Sequence, residues 1–142
     1  LNPTSYVTSP VHATTADLDR LLEVITPEPH WRVLDVATGG GHTARLFAPH
    51  VAGVVAADLT LPMLHAARQS HREANLTGIT YHQLDAESLP YAPASFEALT
   101  CRIAPHHFPH PDEFVRECVR ILRPGGLLVV IDQIMPRNRK AA

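Results

Sequence analysis

The sequence predicts an α/β fold: a Rossmann-like, doubly wound parallel sheet of strand order 3-2-1-4-5 with helices on both faces. Three observations carry this expectation. Short apolar runs alternate with segments of helical periodicity along the chain. The run Val33-Leu34-Asp35-Val36-Ala37-Thr38-Gly39-Gly40-Gly41-His42 is an apolar strand that ends in a carboxylate and passes straight into a glycine loop. A second apolar run, 51–57, then ends on Asp58. Strand, tight loop, helix, strand and acid in that order form a nucleotide-binding crossover. Glycine permits positive φ and close approach of backbone to a ligand, and the acid on the second strand can accept the hydroxyl protons of a ribose.

Each element follows from local signals. Residues 1–13 read as an irregular arm. Thr14 or Thr15 can cap a helix over 16–25, with Leu18, Leu21, Leu22 and Ile25 on one face and Pro27 and Pro29 ending it. The first sheet strand is Arg32–Val36, a helix follows over about 41–49, and the second strand is 51–57. Thr60 can cap a helix over 61–75, where Pro62 is tolerated in the first turn. Gly78 breaks it, and Ile79–Gln83 is the third strand. Residues 85–95 read as a loop or single turn, and 96–101 as strand four. The helix 111–122 carries Asp112 and Glu113 in its first turn, where the helix dipole favours them. Arg123-Pro124-Gly125-Gly126 reads as a stop and a turn before strand five, 127–131, a continuous apolar run suited to a strand covered on both faces. The chain thus divides into an arm (1–13), a core (14–135) and a basic, polar tail (136–142), with no sign of a second domain. Ligand is expected across the C-terminal ends of strands one and four, at the switch point of the sheet.

Composition narrows the function classes. The chain has 142 residues, 45% hydrophobic and 18% charged, with a formal net charge of -2. Without a basic field, nucleic acid is not an expected partner. No apolar run approaches the roughly 20 residues of a membrane span, and the polar, proline-containing start does not resemble a signal peptide. Cys101 and Cys118 suggest buried thiols rather than a disulfide framework, so a cytoplasmic location is the default expectation. Among ten histidines, His106, His107 and His110 cluster. No cysteine is near them, and Pro105, Pro109 and Pro111 make the segment a loop, so no metal site is expected.

The identity of the nucleotide turns on Asp35. Gly39-x-Gly41-x-x-Ala44 satisfies the looser dinucleotide fingerprint, with Asp58 roughly 20 residues on. A carboxylate at the mouth of that loop, however, repels a pyrophosphate and attracts an ammonium group. S-adenosylmethionine, with ribose, adenine and an α-amino group but no phosphate, fits better than NAD.

The chain also resembles a family: the class I S-adenosylmethionine-dependent methyltransferases of the type 11 group, akin to the ubiquinone/menaquinone-biosynthesis methyltransferases. The landmarks are the 33–41 segment, Asp58, Asp85-Ala86-Glu87-Ser88-Leu89-Pro90, Ser95-Phe96-Glu97 and Leu122-Arg123-Pro124-Gly125-Gly126. The resemblance implies that Asp35, Ala37, Thr38 and the loop Gly39, Gly40, Gly41 hold the methionine part of the cofactor. It implies that Asp58 binds the ribose, that Leu59 and Met63 pack near the adenine, and that Asp85 and the Ala86 backbone, with Glu87 beside them, meet the adenine edge. The resemblance further implies that Arg102 and Ile103 line the cleft after strand four and that the arm, with Tyr6 and His12, folds over the cofactor. His106 and His107 are candidates for a base or an acceptor contact. The implied activity is transfer of a methyl group from the sulfonium to a small-molecule acceptor by in-line displacement. A non-catalytic cofactor-binding remnant and a NAD-dependent oxidoreductase are the rival readings.

The pattern departs from the family in three places. Ala37 stands where the loop's first glycine is usual, and Glu97 stands where Asp is common. The family also continues after strand five with two strands that form an antiparallel hairpin. Here the chain reads as truncated after that strand, leaving Leu127, Leu128, Val129, Val130 and Ile131 on an open edge. Open apolar edges seek partners, so self-association through strand five is expected.

Overall fold

The computed structural model describes residues 5–10, 15–102 and 108–132. Six strands and four α-helices follow one another: β1 (Ser5–Pro10), α1 (Thr15–Ile25), β2 (Arg32–Val36), α2 (His42–Phe47), β3 (Gly53–Asp58), α3 (Leu61–Glu73), β4 (Ile79–Gln83), β5 (Phe96–Arg102), α4 (Pro111–Ile121) and β6 (Leu122–Asp132). A short 3₁₀ turn, Ala48–His50, extends α2. The strands form one sheet in the order β1-β6-β5-β2-β3-β4, and every pairing is parallel. From β4 to β6 this is the expected 3-2-1-4-5 order, with one strand added beyond it.

Alternation along the central strands sorts the core into two layers, because successive side chains of a strand leave opposite faces. Leu34, Leu99 and Leu128 pair across β2, β5 and β6 and are essentially solvent-free. They pack with Phe114, Cys118 and Ile121 of α4. Full burial of each such side chain is worth about 1.5–3 kcal/mol. On the opposite face Val33, Val54, Ala98 and Val129 meet Leu21 and Ile25 of α1 and Ala44 and Phe47 of α2. The next row on that face runs Ala56, Asp35, Thr100, Val129. A polar pair therefore lies in the middle of an otherwise apolar layer.

Four local expectations are corrected. Residues 5–10 are not irregular: they form β1, which runs parallel to β6 from Ser5 opposite Leu127 to Pro10 opposite Asp132. The edge of strand five is consequently not open, because β1 occupies the hydrogen-bonding groups that would recruit a second copy. The Arg123-Pro124-Gly125-Gly126 turn is absorbed within β6. Phe96 pairs with Leu122 and Ala98 with Leu127, so the β6 backbone loops out between them. Gly125 takes φ +82, and a Cβ at Gly126 would lie 2.7 Å from the Arg123 carbonyl oxygen. Finally, Thr60 occupies the N-cap of α3 without capping it. Its hydroxyl is bound to Asp58 instead.

The covered edge has a measurable consequence. Removing residues 1–10 exposes the β6 backbone, so sedimentation should show stronger concentration-dependent association than in the intact chain. Equal behaviour of the two would mean that β1 does not protect this edge.

Candidate cofactor site

The C-terminal ends of β2, β3 and β5 meet at the switch point of the sheet. Asp35, the fourth residue of β2, is 1% exposed. Its register partner is Thr100 on β5, whose hydroxyl donates to Asp35 Oδ1 at 2.7 Å. The Thr38 hydroxyl donates to Oδ2, also at 2.7 Å. Two neutral hydroxyls thus satisfy a carboxylate that has no cation paired to it among the described residues. Burial is the largest influence on its pKa and pushes it up to about 6, against the lowering effects of Thr38, Thr100 and the more distant Arg102 charge.

The chain leaves β2 through Ala37 at φ 56, a left-handed conformation that a side chain disfavours. This is the physical reason glycine is usual there. The loop is then fixed from the neighbouring crossover. Asp58 Oδ2 accepts the Gly39 N–H at 2.9 Å, while Oδ1 accepts the Thr60 N–H and hydroxyl. Asp58 therefore serves the turn into α3 and the glycine loop at once. Oδ1 is thereby filled, while Oδ2 keeps one lone pair free to accept from a ligand.

At the other end of the loop the Gly41 carbonyl receives a hydrogen bond from His71 Nε2 at 2.8 Å. A carbonyl can only accept, so Nε2 carries the proton and Nδ1 accepts from the Tyr81 hydroxyl at 2.6 Å. A Cβ on Gly41 would lie 2.5 Å from His71 Nε2, and φ there is +79. Glycine is required at 41 on both counts.

Two cavities flank Ala37. One, of about 140 Å³, is lined by Asp35, Thr38, Gly39, Gly40, His42 and Arg102 among others. The other, of about 210 Å³, is lined by Asp58, Leu59, Asp85, Ala86, Glu87 and Phe108 among others. Within the second, Asp85 Oδ1 accepts the Glu87 N–H in a local turn, leaving its other oxygen available. Glu87 accepts from the His110 backbone N–H, and its Oε1 lies 3.0 Å from His110 Nδ1. That contact raises the His110 pKa and ties the 108–110 segment to the cavity wall. Glu113 lies close by, with its carboxylate within 4.8 Å of both. Leu59 and Met63 stand exposed at the rim, Met63 with its methyl beside Gly39.

The structure thus brings together Asp35, Ala37, Thr38, Gly39, Gly40 and Arg102 on one side, and Asp58, Leu59, Asp85, Ala86 and Glu87 on the other. Gly41 lies behind the loop, against His71. Tyr6 is not among them: its backbone pairs with Leu128 at the far edge of the sheet. The expected folding of the arm over the site is not seen in 5–10, because that segment pairs as a strand instead. His12, Ile103, His106 and His107 lie outside the described residues. Sequence reasoning missed Thr100, His71 and Tyr81. Two of them carried a signal: Thr100 interrupts an apolar strand, and His71 follows Leu64 and Ala67 on the buried stripe of α3.

A methyltransferase domain family matches residues 34–130, which spans β2 through most of β6. The chain belongs to the methyltransferase domain family. The methyltransferase YcgJ of Bacillus subtilis, functionally uncharacterised, is 34% identical over 137 residues, covering 96% of this chain and 54% of its own length. The YcgJ structure superposes with a TM-score of 0.82 over 88% of this chain and 53% of that one, at 33% identity. A proposed methyltransferase of Bacillus halodurans C-125 gives 0.81 at 44% identity, covering 88% of this chain and 54% of that one. The ubiquinone/menaquinone biosynthesis C-methyltransferase UbiE of Pseudomonas paraeruginosa is 35% identical over 111 residues, 75% of this chain and 43% of its own. The chain spans about half the length of the relatives it matches. In this methyltransferase domain the described residues supply the sheet, the glycine loop and the two cavities beside it.

Two outcomes test the electrostatics and strain of the site. The folded state holds the Asp35 proton more tightly than the unfolded chain does. This carboxyl therefore makes folding less favourable as pH rises from about 4 to about 6, by about 3 kcal/mol at ~1.4 kcal/mol per pH unit. The stability of Asp35→Asn relative to the parent should accordingly rise by about that amount between pH 4 and pH 7 in denaturant titrations. A difference that stays flat with pH would mean Asp35 is not a buried ionisable group. Ala37→Gly should raise the melting temperature, by relief of about 1 kcal/mol of left-handed strain.

Proposed function

We propose that this chain is the cofactor-binding part of an S-adenosylmethionine-dependent methyltransferase acting on a small-molecule acceptor. The observation that carries this reading is the buried Asp35 carboxylate at the mouth of the glycine loop. It suits the ammonium of an amino acid and opposes the pyrophosphate of a dinucleotide. The second cavity supports the same reading. Its floor joins Asp58, on which a ribose can be held, to Asp85 and the Ala86 backbone, whose donor and acceptor suit an adenine edge.

When bound, the cofactor supplies an electrophilic methyl group on a sulfonium. The chain's own residues bind and orient. Asp35 would hold the amino group, the 39–41 backbone would carry the methionine part, and Asp58 would hold the sugar. Leu59 and Met63 cover apolar surface at the rim. Alignment of this kind is the main contribution a protein makes to such a transfer. A general base is needed only where the nucleophile is an alcohol or phenol, and His106 and His107 are the candidates. The similarity to the C-methyltransferase UbiE and to a ubiquinone biosynthesis O-methyltransferase supports a small organic acceptor without singling out carbon or oxygen as the methylated atom.

Calorimetric titration with S-adenosylhomocysteine tests the reading. Asp58→Ala should weaken binding about 10–100-fold, the effect of losing charge-assisted hydrogen bonds, and NAD should give no heat. Heat with NAD and none with S-adenosylhomocysteine would replace the reading by that of an oxidoreductase.

A further inference from the structure

Arg102 ends β5 two residues beyond Thr100, so alternation puts it on the same face of the sheet as Thr100 and Asp35. It lines the smaller cavity together with Asp35, Thr38 and the glycine loop. Its Nη1 is buried and has no hydrogen-bond partner among the described residues. A buried guanidinium nitrogen with nothing to donate to is costly, and folded proteins rarely keep one without a use. The obvious internal acceptor, Asp35, is spoken for: both its oxygens are bonded to threonine hydroxyls, and the Arg102 charge acts on it only from a distance. One small cavity therefore presents a carboxylate and a guanidinium that are not paired with each other.

Such a cavity is complementary to a zwitterion. A purely cationic ligand would leave Arg102 unsatisfied, and a purely anionic one would meet Asp35. An α-amino acid carries both charges on one carbon and offers each to its opposite. We infer that Arg102 is the carboxylate anchor of this site, its guanidinium receiving the carboxylate of the cofactor's amino-acid end while Asp35 faces the ammonium. The inference rests on the S-adenosylmethionine reading above and adds a specificity residue to it. Arg102 selects ligands with an intact amino acid over those with an amine alone. Its planar fork matches a carboxylate as a lysine ammonium does not.

The test compares S-adenosylhomocysteine with its decarboxylated analogue, which keeps the amine and differs only in the carboxylate. Both are titrated calorimetrically into the parent chain, Arg102→Met and Arg102→Lys. The parent should prefer S-adenosylhomocysteine. Arg102→Met should weaken that ligand about 10–100-fold, as expected for a charged hydrogen-bonded contact, and change the analogue less than about twofold. Arg102→Lys should fall between, which keeps the test open if the methionine variant folds poorly. Melting temperatures should change little, since Nη1 has no partner to lose. Undiminished binding of S-adenosylhomocysteine by Arg102→Met overturns the inference, as does an equal loss for both ligands, which would mean that Arg102 only shapes the cavity. A parent chain that binds neither ligand overturns the cofactor reading itself and the inference with it.

Discussion

The carboxylate of Asp35 lies where water barely reaches, in the middle of an apolar layer, on the central strand of the sheet. Keeping it there demands partners, since an unpaired buried charge costs several kcal/mol. The partners dictate much of the surrounding structure. Thr100 must sit opposite it on β5, which fixes the β2–β5 register. Thr38 must turn its hydroxyl back toward the strand, and the same residue receives the Gly41 N–H on its carbonyl. The first turn of the loop is therefore shaped around the acid. Its residual cost appears as a pKa raised by burial to about 6. A ligand that brings a cation to this place offsets a penalty the fold already carries.

The loop is also gripped from outside its own strand. Asp58 holds Gly39 through its backbone N–H, and His71 holds Gly41 through its carbonyl. Both clamps come from the β3–α3 half of the crossover, so the loop is fixed at its two ends by the element that also lines the larger of the two cavities. His71 in turn leans on Tyr81 of β4, with the rings stacked 5.7 Å apart. The resulting chain of contacts runs from the sheet edge to the loop. Groups held this way need little ordering when ligand arrives, and preorganisation of that kind lowers the entropic cost of binding.

The central strands and their order were legible because each is an apolar run bounded by turn residues, and because a parallel sheet with short connections admits few topologies. Asp35, the glycines and Asp58 were legible because their chemistry is local to a strand end. What escaped was long-range. Thr100 is informative only opposite Asp35, 65 residues away, and His71 only behind Gly41, 30 residues away. Ser5–Pro10 is short, polar in part and closed by proline, so nothing in its own composition distinguishes a strand from an arm. Its strand character comes from the β6 edge beside it. Pro124-Gly125-Gly126 signals an interruption of regular pairing, but an inserted loop inside a strand and a turn before one share the same residues, so the sequence cannot tell them apart.

Charge explains why this glycine loop should favour one class of adenosine ligand over another that the same fold commonly binds. The larger cavity is lined by three carboxylates, Asp58, Asp85 and Glu87, and, among the described residues, by no lysine or arginine. The smaller one adds Asp35, with Arg102 the cation on its wall. A pyrophosphate crossing from one cavity to the other would pass Ala37 with acids on both sides and one guanidinium to meet two negative charges. Helix α2 offers its N-terminus, but it spans six residues, and Asp35 lies in the same small cavity. S-adenosylmethionine would instead join a neutral adenosine to a zwitterion through a sulfonium, bringing one net positive charge to a cleft lined mostly by carboxylates and matching each sign locally. On the proposed reading, discrimination would come as much from repulsion of a pyrophosphate as from attraction of a zwitterion. The feature that makes Asp35 expensive to bury is thus the same feature that turns a general nucleotide fold into a selective site.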